Sequence, residues 1–205
     1  MFLVCLLPEG RADEVDELNR SIDQAMREMG YNTRSTNYGR AEPSNRARSK
    51  PYGDSSPIVD FKSLPLEQSI KRVNGNGQRV IVTFEDPNCG YCKRLNLALK
   101  EVKNVTIYTF IYPRLSSQSK KVSVSVLCSN NKAAAWAALM MDGKKPEERR
   151  CDSGAAIADR NLELGQSLRA SIPAIFFADG TRFSGYHDAS AMEQKLAGIP
   201  IGVHR

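Results

Sequence analysis

Cys89 and Cys92 are the two residues of this sequence whose spacing most clearly suggests chemistry. They follow residues 79–84, a run that is apolar on both faces except at Thr83, as in a buried central strand. The residues after them favour a helix that begins at the pair. A cysteine at a helix N-terminus meets unpaired N–H groups and the positive end of the helix dipole, which lower its pKa. The pattern predicts a redox dithiol in which Cys89 attacks a disulfide and Cys92, one turn inward, resolves the mixed disulfide.

The charges beside the pair act on its ionisation in opposite directions. Lys93 and Arg94 follow it and favour a thiolate, whereas Glu85 and Asp86 precede it and disfavour one. The sequence leaves open which of the two sets dominates.

The remaining cysteines and histidines weigh against the alternative of a zinc site. Cys128 and Cys151 lie far apart in sequence, Cys5 stands alone, and the two histidines are His187 and His204. A structural zinc site needs a second close pair of ligands. We expect no metal and no cofactor, although half of a metal site and a chance spacing remain open for an isolated pair.

A second candidate feature is the dipeptide Ile172-Pro173, which directly precedes a predicted strand. Proline within a sheet is confined to strand starts, edges and bulges. An X–Pro bond can also be cis, which would turn the backbone toward the dithiol. A trans proline that merely opens the strand is the alternative.

The elements around these residues follow from the hydrophobic pattern. The parallel pair of strands 79–84 and 105–111, with a helix between them, implies a right-handed crossover. The other predicted strands are 58–61, 121–127, 172–177 and 181–185, and the other predicted helices are 66–73, 132–141, 153–170 and 189–196. Residues 74–77, Asn-Gly-Asn-Gly, predict a turn, and residues 199–205 a short tail.

The N-terminal quarter of the chain reads as three further segments. Residues 1–12 hold a short apolar run and a small-residue site, which favours a signal peptide cut after Ala12 over a frayed terminus or a short buried strand. Residues 13–30 predict an amphipathic helix, whose apolar stripe either packs on the main domain or pairs with a second copy through residues 13–29. Residues 31–57 predict a polar, flexible linker whose basic residues could also touch an acidic partner.

The composition limits the classes of function. The chain has 205 residues, a formal net charge of +6 and 41% hydrophobic residues, which excludes collagen-like and fully disordered proteins. No run approaches the roughly 18 apolar residues of a membrane span, so we expect a soluble mature chain. Because the basic surplus forms no dense tract, we expect no nucleic-acid partner.

Taken together, residues 58–198 resemble the DsbC/DsbG family of bacterial periplasmic thiol–disulfide oxidoreductases. The segments that carry the resemblance are Phe84–Leu95, Tyr112–Arg114, Leu127-Cys128 with Cys151-Asp152, Ile172–Ala174 and Asp179–Tyr186. The resemblance implies an α/β, thioredoxin-like fold, a central mixed sheet flanked by helices, with a helical insertion between its two halves. It also implies helix rather than strand at 121–127.

The resemblance assigns a role to each matching site residue. Cys89 is the nucleophile, Cys92 the resolving cysteine, and Gly90-Tyr91 the dipeptide that tunes them. Pro173 is the cis-proline whose flanking backbone grips the substrate, and Cys128 with Cys151 is a structural disulfide tying the insertion. The implied partners are disulfide-containing exported proteins and a membrane thiol reductant.

Two departures from the pattern of this family weaken the assignment of the chain as an isomerase. Residues 13–57 do not resemble the N-terminal dimerisation domain of the family's isomerases. Ile172 stands where that family typically has Thr. An isoleucine at this position is similar to thioredoxins. We therefore expect a periplasmic disulfide isomerase or reductase. The alternatives are a dedicated reductase or assembly factor of one secretion or conjugation system, a soft-metal-binding module, and a partner-binding subunit.

Overall fold

The computed structural model describes residues 59–202 together with residues 20, 21, 24, 25, 27 and 28. Those six N-terminal residues are helical and fall within the helix expected at 13–30. The rest of that helix, the signal segment 1–12 with Cys5, the linker 31–57 and residues 203–205 lie outside the described residues. Among the helices that are described, none has the length and apolarity needed to cross a membrane.

Five strands form one mixed sheet in the order β1-β3-β2-β4-β5. The strands are β1 (Ile70–Asn74), β2 (Arg79–Glu85), β3 (Val105–Ile111), β4 (Ala174–Phe177) and β5 (Arg182–Ser184). β2 and β3 are parallel, and the other neighbouring pairs are antiparallel. The apolar run of β2 therefore lies in the middle of the sheet, where the sequence places it.

Five α-helices accompany the sheet in the described part of the chain. They are α1 (Gly90–Leu99), α2 (Ser117–Leu127), α3 (Lys132–Asp142), α4 (Asp152–Ser167) and α5 (Ala189–Ala197). α1 connects β2 to β3, and α2 to α4 follow one another between β3 and β4. The thioredoxin-like α/β architecture with a helical insertion is therefore confirmed.

The two faces of the sheet are covered by different helices. Successive side chains of a strand point to opposite faces, and β2 sends Ile81 to one side and Val82 and Phe84 to the other. The first side packs on α1 and α5, and the second on the leucines at the end of α4. A third cluster, of Cys89, Cys92, Ile111 and residues of α2, α3 and α4, lies where the insertion meets the end of the sheet.

The local prediction of a strand at 121–127 is wrong, and the helix implied by the resemblance is right. The side chain of Ser116 accepts the Ser119 N–H and caps α2. Within the helix, Val122 and Val126 are one turn apart and contribute to the same apolar cluster. The alternation of Val and Ser imitates a strand, although two of its valines, Val122 and Val126, are spaced four apart and share a helical face.

Two further local predictions are wrong. The expected helix 66–73 is a single 3-10 turn, Leu66–Gln68, followed by β1, which pairs along five residues with β3. The expected strand at 58–61 is replaced by a second 3-10 turn, Phe61–Ser63, capped by the side chain of Asp60. In both places sheet pairing and side-chain capping override a short apolar pattern.

Candidate active site

Cys89 is the N-cap residue of α1, the position at which a side chain can accept a free helix N–H. Its sulfur accepts the backbone N–H of Cys92 at 3.2 Å. Cys89 keeps 6% of its surface exposed, whereas Cys92 is fully buried one turn inward. Cys89 is therefore the more accessible of the two cysteines.

The two thiols of the pair differ in ionisation. A hydrogen bond from the Cys92 thiol lowers the pKa of Cys89, and the backbone N–H of Cys92 adds to it, against burial and the charges of Glu85 and Asp86. Burial raises the pKa of Cys92 well above its ordinary value, and its interaction with Cys89 raises it further. Cys89 is thus the sulfur that ionises first. The two carboxylates oppose this ionisation without outweighing the hydrogen bonds.

A buried polar network lies behind Cys92 at the end of β2. Glu85 is fully buried and accepts hydrogen bonds from Thr83 Oγ1 at 2.6 Å and from the amide of Asn96. Asn96 also donates to the carbonyl of Cys92 at 2.9 Å and accepts from Arg72 at 2.7 Å. Burial raises the pKa of Glu85, and the Arg72 charge partly offsets this.

Asp86, the next residue, is also fully buried and organises the loop in front of α1. Its carboxylate accepts from the backbone N–H of Asn88 at 2.8 Å, from Ser119 Oγ at 2.8 Å and from the N–H of Leu115 at 2.9 Å. Its carbonyl accepts the N–H of Cys89 at 3.1 Å. The start of the insertion and Cys89 are therefore hydrogen-bonded to the same residue.

The other predicted site residues lie around the dithiol or directly before β4. Gly90 begins α1, and Tyr91, between the cysteines, is 46% exposed. The Ile172–Pro173 peptide bond is cis. The side chain of Ile172 packs against the cluster that contains Cys89 and Cys92. The structure thus packs Ile172 on the cluster that contains the dithiol, and it starts β4 immediately after Pro173.

The comparisons with known proteins agree with this geometry. The model of the thioredoxin-like domain matches residues 66–199. The chain belongs to the thioredoxin-like domain family.

Relatives of this thioredoxin-like domain are named as disulfide interchange proteins. It is 42% identical over 139 residues to the probable thiol:disulfide interchange protein DsbC of Bordetella pertussis, covering 67% of this chain and 49% of the relative. It is 31% identical over 124 residues to DsbC of Escherichia coli K12, covering 58% of this chain and 51% of that one. The chain spans about half the length of these relatives. The resemblance to the DsbC family is confirmed.

A solved structure supports the same fold. The disulfide interchange protein of Neisseria gonorrhoeae superposes with a TM-score of 0.61 at 30% identity. The match covers 65% of this chain and 96% of the other.

The second pair of cysteines in the thioredoxin-like domain forms a disulfide away from the dithiol. Cys128 is the C-cap of α2 and Cys151 the N-cap of α4, and their sulfurs are bonded. Gly154 packs against both sulfurs, leaving no room for a Cβ. The ring of His187 stacks on that of Phe183, with 4.1 Å between the ring centroids. In the described part of the chain no three His, Cys, Asp or Glu side chains are grouped as metal ligands.

Sequence reasoning missed three polar residues of the site. Asn96 lies one helical turn after Cys92, a spacing that places its amide on the inner side of α1. Arg72 was assigned to a helix and instead reaches the network from β1. Ser119 is 30 residues after Cys89 in sequence, and the capping serine at Ser116 was its only available signal.

Proposed function

We propose that this chain is a thiol–disulfide oxidoreductase of the bacterial periplasm that reduces or rearranges disulfides of exported proteins through Cys89 and Cys92. The observation that carries the proposal is the pairing of an N-cap thiol of lowered pKa with a buried thiol of raised pKa one turn away. Such a pair separates the attacking sulfur from the resolving sulfur. The names of the relatives support the same activity.

The reaction proceeds in two exchanges. The Cys89 thiolate attacks one sulfur of the substrate disulfide, a mixed disulfide forms, and the other substrate sulfur leaves as a thiolate that takes up a proton. Cys92 then loses its proton and attacks the Cys89 sulfur, which releases the second substrate thiol and leaves a Cys89–Cys92 disulfide. The substrate gains two electrons and the dithiol loses them, and a membrane thiol reductant then reduces the Cys89–Cys92 disulfide and is itself oxidised. If another substrate thiol attacks the mixed disulfide first, the substrate is rearranged without net reduction.

The residues around the dithiol have supporting roles in this proposal. Gly90 and Tyr91 tune the pair, and the exposed ring of Tyr91 lies where a bound substrate would pass. Ile172 and Pro173 contact the substrate chain beside the nucleophile. The packing of Ile172 against the dithiol cluster supports this assignment.

The disulfide between Cys128 and Cys151 supports the proposed compartment. Disulfides persist in oxidising compartments such as the periplasm and are rare in the cytosol. We assign it a structural role, since it joins the two ends of the α3 segment.

The proposal is tested with serine variants of each cysteine, using the reduction of insulin by a small thiol as the assay. Cys89→Ser should reduce the activity to background because the attacking sulfur is lost. Cys92→Ser should accumulate mixed disulfides, which mass spectrometry detects as adducts at Cys89. The control is the double variant Cys128→Ala/Cys151→Ala, which removes two cysteines outside the dithiol and should keep the activity. Full activity of Cys89→Ser would overturn the proposal.

A dedicated reductase is the second candidate, because Ile172 replaces the threonine that the DsbC resemblance implies before the cis-proline. Refolding of a scrambled protein with several disulfides separates the two activities. An isomerase restores the native activity of that protein with catalytic amounts of the chain. A dedicated reductase of one substrate only leaves the scrambled protein reduced or unchanged.

A further inference from the structure

The strongest connection between the dithiol and the helical insertion passes through Asp86. The carbonyl of Asp86 accepts the N–H of Cys89 at 3.1 Å, and a backbone hydrogen bond from Asp86 reaches the sulfur of Cys92. Its carboxylate binds the insertion side, through the N–H of Leu115 and the hydroxyl of Ser119. A displacement of Asp86 would therefore move the groups that hold both sulfurs.

Ser119 is the side chain by which α2 reaches this loop. Its hydroxyl donates to Asp86 Oδ1 at 2.8 Å and accepts the amide of Asn88 at 3.0 Å. The hydroxyl of Ser116, the N-cap, lies 3.1 Å away. A serine hydroxyl has one hydrogen and two lone pairs, and the three contacts use all of them. Ser119 is also fully buried, so water cannot replace a lost contact without entering the core.

We propose that Ser119 is a positioning residue for the dithiol, which joins the first turn of α2 to Asp86 and Asn88 and thereby fixes the loop that carries Cys89. This inference rests on the proposed function, since it takes Cys89 to be the reacting sulfur. It extends that function by making the insertion a part of the catalytic geometry.

Loss of the Ser119 hydroxyl acts on the ionisation of Cys89 in one direction. The charge of Asp86 raises the pKa of Cys89. The hydroxyl of Ser119 donates to that carboxylate and offsets part of its charge. Removing the hydroxyl leaves the charge less compensated and the loop less firmly held. Both effects disfavour the Cys89 thiolate.

Ser123 provides a matched control on the same helix. Like Ser119 it is fully buried, and its hydroxyl donates to the carbonyl of Ser119 at 2.8 Å, within α2. A Ser123→Ala substitution removes one buried hydroxyl from α2 without removing a side-chain contact to Asp86 or Asn88. Any general loosening of the helix should therefore occur in both variants.

The experiment measures the pH dependence of Cys89 alkylation by iodoacetamide, with the modified cysteine identified by mass spectrometry. In Ser119→Ala we expect the midpoint to rise by about half a pH unit, which is roughly a threefold lower thiolate fraction at a fixed pH below the midpoint. Ser123→Ala should keep the wild-type midpoint. An unchanged midpoint in Ser119→Ala, or equal shifts in the two variants, would overturn the inference.

A second variant covers the case in which Ser119→Ala does not fold. Asn88 is exposed, and Asn88→Ala removes the amide that donates to the Ser119 hydroxyl. We expect a smaller upward shift of the same midpoint, and no shift would contradict the role of Ser119. A wild-type midpoint at the ordinary value of a thiol would instead contradict the proposed function itself, so the two failures are distinguishable.

Discussion

At the scale of single residues, the structure explains how one thiol is kept reactive while its neighbour is kept protonated. The raised pKa of Cys92 comes first from burial and then from its contacts with Cys89. When Cys89 enters a mixed disulfide, its negative charge disappears and with it the part of the Cys92 shift that this charge causes. In the proposed mechanism, formation of the mixed disulfide therefore favours ionisation of Cys92 at the step in which that thiol attacks.

The hydrogen bond between the two thiols gives the first residue-scale prediction. Cys92→Ala removes the largest cause of the lowered pKa of Cys89. We expect the midpoint of Cys89 alkylation to rise by about one pH unit, since a hydrogen bond to a charged group contributes about 1.5 kcal/mol. Ser123→Ala, measured in parallel, should leave the midpoint unchanged. If Cys92→Ala titrates like the wild type, the helix N-terminus alone stabilises the thiolate.

The buried carboxyl of Glu85 gives the second prediction, on stability against pH. Burial raises the pKa of Glu85 in the folded state. Between its unfolded pKa and this higher value, the folded protein holds a proton that the unfolded chain releases. The contribution of Glu85 is therefore fully present below the unfolded pKa and is lost as the pH rises through the window, by at most about 1.4 kcal/mol per pH unit.

Glu85→Gln should remove this downward slope from the free energy of unfolding, measured with urea between about pH 4 and pH 8. Glu193→Gln is the control. The Arg79 hydrogen bond lowers the pKa of Glu193, so the contribution of Glu193 to the free energy of unfolding rises with pH, opposite to that of Glu85. A downward slope that persists in Glu85→Gln would show that another group titrates in this window.

At the scale of elements, the sequence predicts the strands and helices that their own residues favour. It misses those that depend on pairing with residues distant in sequence. β2 and α1 follow from a continuous apolar run and from the helical period after the cysteines, so the position of Cys89 and Cys92 could be predicted. β1 was mistaken for a helix because its five residues form a strand only through pairing with β3. Ser119 and Asn96 could not be found because a hydroxyl or amide that bonds a distant residue leaves no periodic pattern.

The packing of α4 on the sheet gives an element-scale prediction at Gly165. A Cβ at this position would lie 2.7 Å from two ring carbons of Tyr112, whose side chain is fully buried. Gly165→Ala gains about 1 kcal/mol of helix propensity but must displace that ring, and overpacking of this kind costs about 1–3 kcal/mol. We expect a net loss of up to about 2 kcal/mol in the free energy of unfolding.

Gly198→Ala is the matched control for this substitution. The nearest atom to its added Cβ is the carbonyl of Lys195 at 3.6 Å, an ordinary contact. We expect its free energy of unfolding to stay within about 0.5 kcal/mol of the wild type. A Gly165→Ala variant more stable than the wild type would mean that the Tyr112 ring can move without cost.

At the scale of the whole molecule, the insertion is held in two separate ways. The disulfide joins the end of α2 to the start of α4 and so closes the α3 segment on itself. The Ser119–Asp86 contact joins the start of α2 to the active-site loop. The first tie limits the freedom of the unfolded insertion, whereas the second sets the geometry of the dithiol. We therefore expect stability and Cys89 ionisation to respond to different substitutions.

The double variant Cys128→Ala/Cys151→Ala tests this separation. Opening a cross-link of sequence separation 23 should lower the free energy of unfolding by roughly 3 kcal/mol, because the unfolded chain regains its loop entropy. The midpoint of Cys89 alkylation should stay at the wild-type value, since neither cysteine contacts the loop through Asp86. Adding a reductant to a Cys89→Ala/Cys92→Ala variant breaks the same bond without substituting it and should cost a similar amount. A shifted midpoint in the double variant would mean that the disulfide, like the Ser119–Asp86 hydrogen bond, affects the dithiol.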